Sequence, residues 1–313
     1  MPATIVLFVY NRPEHTRQTV EALARNLLAK ESELWIFSDA AKDLDSADRV
    51  AAVRAYVNSL AARNWFSNVH VLEAEQNRGL AKSVITGVTQ VIDMFGSAIV
   101  MEDDLVTAPD FLTFMNACLE FYRDNDKIGS ISGYSAPVKI PEDYKDSVYI
   151  ISRSCSYGWA TWADRWQQVD WDVSDFKEFK KDIKARNRFD ECGSDRYNRL
   201  RRQIESNINS WSVRFGYWQF RHGANTVYPV VSRVRNIGTD GSGVHDSTGA
   251  IYNNVIPDSP VPFILSIPEP DKRIIRQTKK IYSGSSISCI SRFLRNNGFE
   301  PIDTLCRKML KRG

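Results

Sequence analysis

The stretch Ser97-Ala98-Ile99-Val100-Met101-Glu102-Asp103-Asp104-Leu105 decides how the chain reads. Its first residues form a short apolar run without polar interruption, which predicts a buried strand. Three adjacent carboxylates follow at the strand's end. Such groups repel one another unless something positive joins them. A hard divalent cation with oxygen ligands, Mn²⁺ or Mg²⁺, is the simplest partner. Alone, the triplet would read as a solvated acidic turn; the rest of the sequence argues for a site.

Working outward, the first 135 residues repeat one pattern. Apolar strands are expected at about 4–9, 34–38, 69–73 and 97–101, alternating with helices at about 13–29, 46–63, 80–95 and 109–124. Asn11 before Pro13 predicts a helix cap followed by a tolerated first-turn proline. Alternating strands and helices imply an α/β fold, with a mainly parallel sheet covered on both faces. In such sheets ligands bind at the carboxyl ends of the strands. Those ends carry Tyr10-Asn11-Arg12-Pro13, Ser38-Asp39-Ala40, Asn77-Arg78-Gly79-Leu80 and Glu102-Asp103-Asp104. Arginines, amides and carboxylates gathered on one edge suit a polar ligand. No G-x-G-x-x-G turn follows the first strand and no P-loop is present, which disfavours a dinucleotide dehydrogenase and a P-loop phosphotransferase. Arg12 or Arg78 can neutralise a diphosphate, and a cation held by Asp104 can bridge the same phosphates. Asp39 can accept hydrogen bonds from a base or ribose. Together they suit a nucleoside-diphosphate conjugate whose diphosphate leaves.

The 313 residues are 43% hydrophobic, enough for a sizeable core. A net charge of +3 gives no argument for nucleic acid. The five cysteines are scattered without metal-ligand spacing, as free thiols in a reducing compartment would be. The N-terminal apolar run reads as a first strand rather than a signal peptide. No apolar stretch reaches the ~20 residues of a membrane-spanning helix. The expected location is cytoplasmic.

The second half changes character. Trp159, Trp162 and Trp166 fall at i, i+3 and i+7, the spacing of one helical face, with core packing expected for Trp162 and Trp166. Tyr157, Gly158 and Trp159 are expected to reach a ligand, since aromatic faces stack on sugar rings. Residues 175–206 are strongly charged and read as a solvated helical face. A glycine-rich loop runs from Arg235 to His245, and His245 is a candidate to swing onto the metal as a nitrogen ligand, where a lone histidine would otherwise read as a surface or core residue. From about 257 the chain becomes Pro-rich and then basic, with apolar residues interleaved among the cations. That pattern suits an amphipathic segment on an anionic membrane surface, and equally a solubilising tail.

These pieces resemble GT-A fold glycosyltransferases, in particular the N-acetylglucosaminyltransferase I-like group and bacterial relatives in surface-polysaccharide synthesis. The resemblance rests on residues 9–13, 77–81, 100–105 and 158–162 and on the loop from Asn236 to His245, spanning about 4–246. It implies a GT-A, Rossmann-like sheet with a smaller acceptor-side region and a C-terminal tail. Residues 1–135 would form the nucleotide-sugar half, 136–256 the acceptor and donor-sugar half, and 257–313 a Pro-rich linker and basic tail. Asp104 would hold the Mn²⁺-type ion, Asp103 would approach the ribose or diphosphate, and Glu102 the donor sugar. Asp39 would contact the base, Arg12 and Arg78 would steady the nucleotide, and Gly158 and Trp159 would border the donor sugar. In one respect the chain departs from the pattern. Relatives carry an aspartate, the general base, beside the tryptophan of the segment matching Asn209 to Phe215. Here the neighbours are Asn209, Ser210 and Ser212, none a competent base near neutral pH. Glu205 or Asp240 is the expected substitute.

The reading is a metal-dependent, inverting transferase using a UDP-sugar such as UDP-GlcNAc. Its acceptor would be a glycan, including one on a lipid carrier, which would fit peripheral contact of the tail with the inner face of the membrane. A nucleotidyltransferase on the same sheet edge and a non-catalytic glycan-binding module are the alternatives.

Overall fold

The computed structural model describes residues 1–239 and 254–296. Three strand–helix units and a fourth strand open the chain: β1 (Thr4–Val9), α1 (Pro13–Ala24), β2 (Glu33–Ser38), α2 (Leu44–Asn58), β3 (Asn68–Glu73), α3 (Leu80–Phe95) and β4 (Ser97–Glu102). A short β5 (Leu105–Thr107) leads into α4 (Phe111–Phe121), β6 (Ile128–Ser132), β7 (Val148–Ile151) and β8 (Trp159–Trp162). Five helices follow: α5 (Ala163–Trp166), α6 (Phe176–Lys181), α7 (Ile183–Phe189), α8 (Arg196–Ile204) and α9 (Trp211–Arg221). Then come β9 (Asn225–Pro229), β10 (Val234–Asn236), α10 (Lys272–Ser283) and α11 (Ser286–Asn296). Eight strands make one sheet in the order β3-β2-β1-β4-β8-β6-β9-β7. The first four are parallel to one another, as the strand–helix alternation predicts. β8 enters antiparallel between β4 and β6, and β7 closes the edge antiparallel to β9.

Alternate residues of the central strands feed two cores, one on each face. Ile5, Leu7 and Val9 join Ile99 and Met101 on one side, while Val6 and Phe8 meet Ala98, Val100 and the buried face of α3 on the other. Double-sided burial explains why these strands read as unbroken apolar runs.

Two local expectations are corrected. Arg12, not Asn11, occupies the cap of α1, and it makes no side-chain cap bond. The first turn is instead tied by Thr16, whose N–H and Oγ1 both donate to the Arg12 carbonyl at 2.9 Å. The tryptophan spacing does not mark one helix either. Trp159 and Trp162 belong to strand β8, so they point to opposite faces of the sheet and into different cores.

The C-terminal residues return to the body. The 3₁₀ turn Asp190–Cys192 packs against α10, and Ile274 and Thr278 of α10 are each 1% exposed. Burial pushes Asp190 up to about 6, although its carboxylate accepts from the Tyr197 N–H at 2.8 Å. A raised acid titration costs stability as pH climbs from the unfolded value to the folded one. Asp190→Asn keeps an acceptor for Tyr197 and removes the charge. It is expected to match the wild type near pH 4 and to exceed it by ~1–2 kcal/mol at pH 7. Urea unfolding across that range reads the difference, and parallel pH profiles would reject it.

Candidate active site

Register brings the first and fourth strand ends together. Phe8 pairs with Glu102, so the chains leaving β1 and β4 run side by side. The Tyr10 N–H donates to Asp103 Oδ2 at 3.3 Å, and the Arg12 guanidinium pairs with both Asp103 and Asp104, the latter at 3.0 Å. Asp103 is only 4% exposed. Thr19, fully buried on α1, locks the acidic turn: its hydroxyl donates to the Asp103 carbonyl at 2.9 Å and accepts from the Leu105 N–H at 3.1 Å. A polar residue on the buried face of a helix is the sequence signal that could have revealed it. On the other side β10 pairs antiparallel with β5, and the Ile237 N–H donates to the Asp104 carbonyl at 2.8 Å. Gly238 lies so close that a Cβ there would collide with Asp104 Oδ2 and Arg12 Nη1.

The charge balance of this turn is uneven. Burial pushes Glu102 up to about 8, and Asp104 and Asp103 push it further in the same direction. Burial also raises Asp103, with Arg12 opposing. For Arg12, burial disfavours the charge, but the two aspartates outweigh it and hold the guanidinium above its usual range. Three carboxyls therefore share one arginine, and the cluster has room for more positive charge.

The second and third strand ends form an adjoining cluster. The Asp39 carboxylate accepts from the backbone N–H groups of Ala40, Arg78 and Gly79, each at 2.9 Å. Asn77 Nδ2 donates to the Ala40 carbonyl at 2.7 Å, and Arg54 Nη2 to the Ala74 carbonyl at 2.7 Å. Asp39 thus fixes the turn that starts α3, while the Arg78 side chain is exposed. Arg54 had no sequence signal, being one cation on a helix of mixed charge. Tyr10 joins the two clusters, since its hydroxyl accepts from the Lys42 N–H at 3.1 Å while its backbone binds Asp103. Asp39, Arg12, Asp103 and Asp104 lie along one edge.

The other expected site residues among those described make no bond to either cluster. Trp159 is 1% exposed and stacks on Trp211 with centroids 4.8 Å apart, so its ring belongs to the core rather than to a sugar pocket. Gly158 has φ +59°, and a Cβ there would stand 2.8 Å from Val234 Cγ2 and 3.1 Å from Phe111 Cε2. Close packing and backbone conformation both call for glycine. Glu205 caps the end of α8 at the surface, paired with Arg201 at 3.2 Å, and makes no bond to the acidic turn. Asn209 Oδ1 accepts from Arg214 Nη2, and Ser210 and Ser212 hydroxyls lie 3.2 Å apart at the start of α9. Asp240 and His245 lie outside the described residues. Among the described residues no three His, Cys, Asp or Glu side chains converge as a complete metal-ligand set. Asp104 nevertheless offers a hard oxygen donor and surplus negative charge of the kind that suits a divalent cation.

The model of the family described as Glycosyl transferase family 2 matches residues 4–201, well over half of the chain. The chain belongs to glycosyl transferase family 2. Its mainly parallel sheet with helices on both faces is the GT-A arrangement. No curated protein matches it. Among solved structures it is similar to S. aureus TarS 1-349, at 11% identity and a TM-score of 0.45, over 76% of this chain and 61% of that one. The same TarS segment in complex with UDP-GlcNAc aligns at 11% identity and a TM-score of 0.41, over 74% and 57% of the two chains. The chain thus spans about three-fifths of the length of these TarS chains. In this family 2 member the matched segment contains both clusters and ends within α8.

Proposed function

We propose that the chain is a metal-dependent, inverting glycosyltransferase that moves a sugar from a UDP-sugar, UDP-GlcNAc or a close relative, to a glycan in surface-polysaccharide synthesis. A glycan on a lipid carrier falls within the same class, as does peripheral contact with the inner face of the membrane. Among the described residues no helix is long and apolar enough to cross one. The observation that carries the reading is the Arg12-bridged acidic turn, with its unmatched negative charge, beside the Asp39 clasp in a family 2 chain.

Asp104 would hold the divalent cation, joined in the full family pattern by His245. When bound, the ion would supply positive charge for the departing diphosphate. Arg12 keeps Asp103 and Asp104 together before substrate arrives, so the carboxylates need no rearrangement. Asp39 holds the 77–79 turn, and thereby the Arg78 backbone, beside the nucleotide position. Glu102 would face the donor sugar. The proton of the attacking hydroxyl would go to a carboxylate on the opposite face, with Glu205 and Asp240 as candidates.

Nucleotide release from UDP-, GDP- and CMP-sugars, with Mn²⁺ or with chelator, tests the reading. UDP release that needs the metal is the expected result. Glycan binding without any nucleotide release would favour a binding module, and pyrophosphate exchange a nucleotidyltransferase. Glu205→Gln is expected to slow transfer by ~10²-fold or more while leaving UDP affinity unchanged. An unaltered transfer rate would clear Glu205 as the base.

A further inference from the structure

We infer that α10 and α11, continued by α7, form a docking face for an anionic lipid bilayer. The inference rests on the peripheral placement proposed above, not on the transfer reaction. On α10 the buried Ile274 and Thr278 mark the inward side, and the Gln277 side chain exchanges two 2.7 Å bonds with the Lys139 backbone. Lys272, Arg276, Lys279 and Lys280, at i, i+4, i+7 and i+8, occupy the other side and are exposed. No acid lies between Lys272 and Asn296. Asp271 caps α10 and is engaged with Arg273.

α11 meets the body through polar groups. Its polar side is anchored: Ser291 is 3% exposed, and Arg292 Nη2 donates to Ser194 Oγ at 2.9 Å and to the Ser283 carbonyl. Its aliphatic Ile290 is 59% exposed. Arg186 of α7 donates to the Asn296 carbonyl at 3.3 Å, which places α7 against the end of α11. There Ile183 is 60% exposed, with Lys181, Asp182 and Lys184 exposed around it. One exposed isoleucine is ordinary on a soluble surface. Here two of them stand on helices joined by a contact, and α10, which precedes α11, carries a row of four exposed cations with no acid among them. Cations alone would suit any polyanion. Aliphatic side chains set among them suit a bilayer, where the cations meet anionic headgroups and the isoleucines enter the acyl boundary.

Flotation of the full chain with phosphatidylcholine vesicles, with and without phosphatidylglycerol, tests this. Binding is expected only with phosphatidylglycerol, and it should weaken as salt rises. Ile290→Asp and the combined Arg276→Glu, Lys279→Glu and Lys280→Glu variants are each expected to lower partitioning by ~10-fold or more. All four positions are exposed, so melting temperatures should match the wild type. Absence of vesicle binding together with binding to soluble polyphosphate would overturn the bilayer in favour of a polyanion. Binding unaffected by Ile290→Asp would overturn the apolar contribution, and so would an Ile290→Asp effect confined to self-association in sedimentation. The assay reads no turnover, so it can fail while the transferase reading stands, and the reverse.

Discussion

Replacing Asp104 by Ala is expected to lower metal-dependent turnover by ~10³-fold or more while the fold melts as before. The expectation comes from two properties of the position. Asp104 is partly open to solvent, with a side chain 14% exposed, and its Oδ2 lies 3.0 Å from Arg12. Removing it leaves Arg12 still paired with Asp103, so no buried charge loses its partner. The stability cost should therefore stay small. Chemistry should suffer far more, because charge compensation at a departing diphosphate contributes several kcal/mol and is realised mainly in the transition state. Asp104→Asn preserves shape and is expected to be nearly as inactive. Asp103→Ala should behave differently: that carboxylate is buried under Arg12 and the Tyr10 N–H, and its loss should lower stability as well. Nucleotide release and thermal melting on the three variants separate these outcomes. Full activity in Asp104→Ala would remove the metal assignment.

The second large effect concerns the scaffold. Arg233→Ala is expected to destabilise the protein by ~3–5 kcal/mol, the cost of leaving a buried carboxylate unpaired. Arg233 and Asp110 form an ion pair at 3.1 Å with side chains 2% and 3% exposed. The guanidinium also donates to the carbonyls of Val231 at 3.0 Å and Val261 at 3.2 Å, and it lies over the Phe114 ring, 4.3 Å from its centroid. Asp110 accepts in addition from the Val261 N–H at 3.1 Å. One pair thus ties α4, the approach to β10 and the Pro-rich segment together. Against a typical total of ~5–15 kcal/mol, a loss of this size shifts a denaturant midpoint far. The combined Arg233→Met and Asp110→Leu variant should recover part of it, since neither charge is then left alone. A urea midpoint unmoved in Arg233→Ala would sink the assignment.

The parallel half was legible because its determinants are local. β1 and β4 start where the apolar runs start, and the carboxylates and arginines after them sit on the crevice edge that the strand–helix alternation predicts. Helix ends were less legible. α1 stops at Ala24 rather than near 29, and α2 opens earlier, on an Asp43–Ser46 capping box, and closes at Asn58. The tryptophan segment was misread because helical spacing is a weak signal over eight residues, and pairing overrode it. β8 bonds to β4 on one side and β6 on the other, both distant in sequence.

Sequence alone determined which residues leave the strand ends, because apolar periodicity and carboxylate spacing are properties of neighbouring residues. Tertiary structure decided what those residues touch. It set Arg12 between two aspartates, turned Asp39 onto the backbone of the 77–79 turn and drew Trp159 into the core. Each outcome depends on strand register and on burial of one element against another, and these are fixed only when chain segments far apart in sequence pack together.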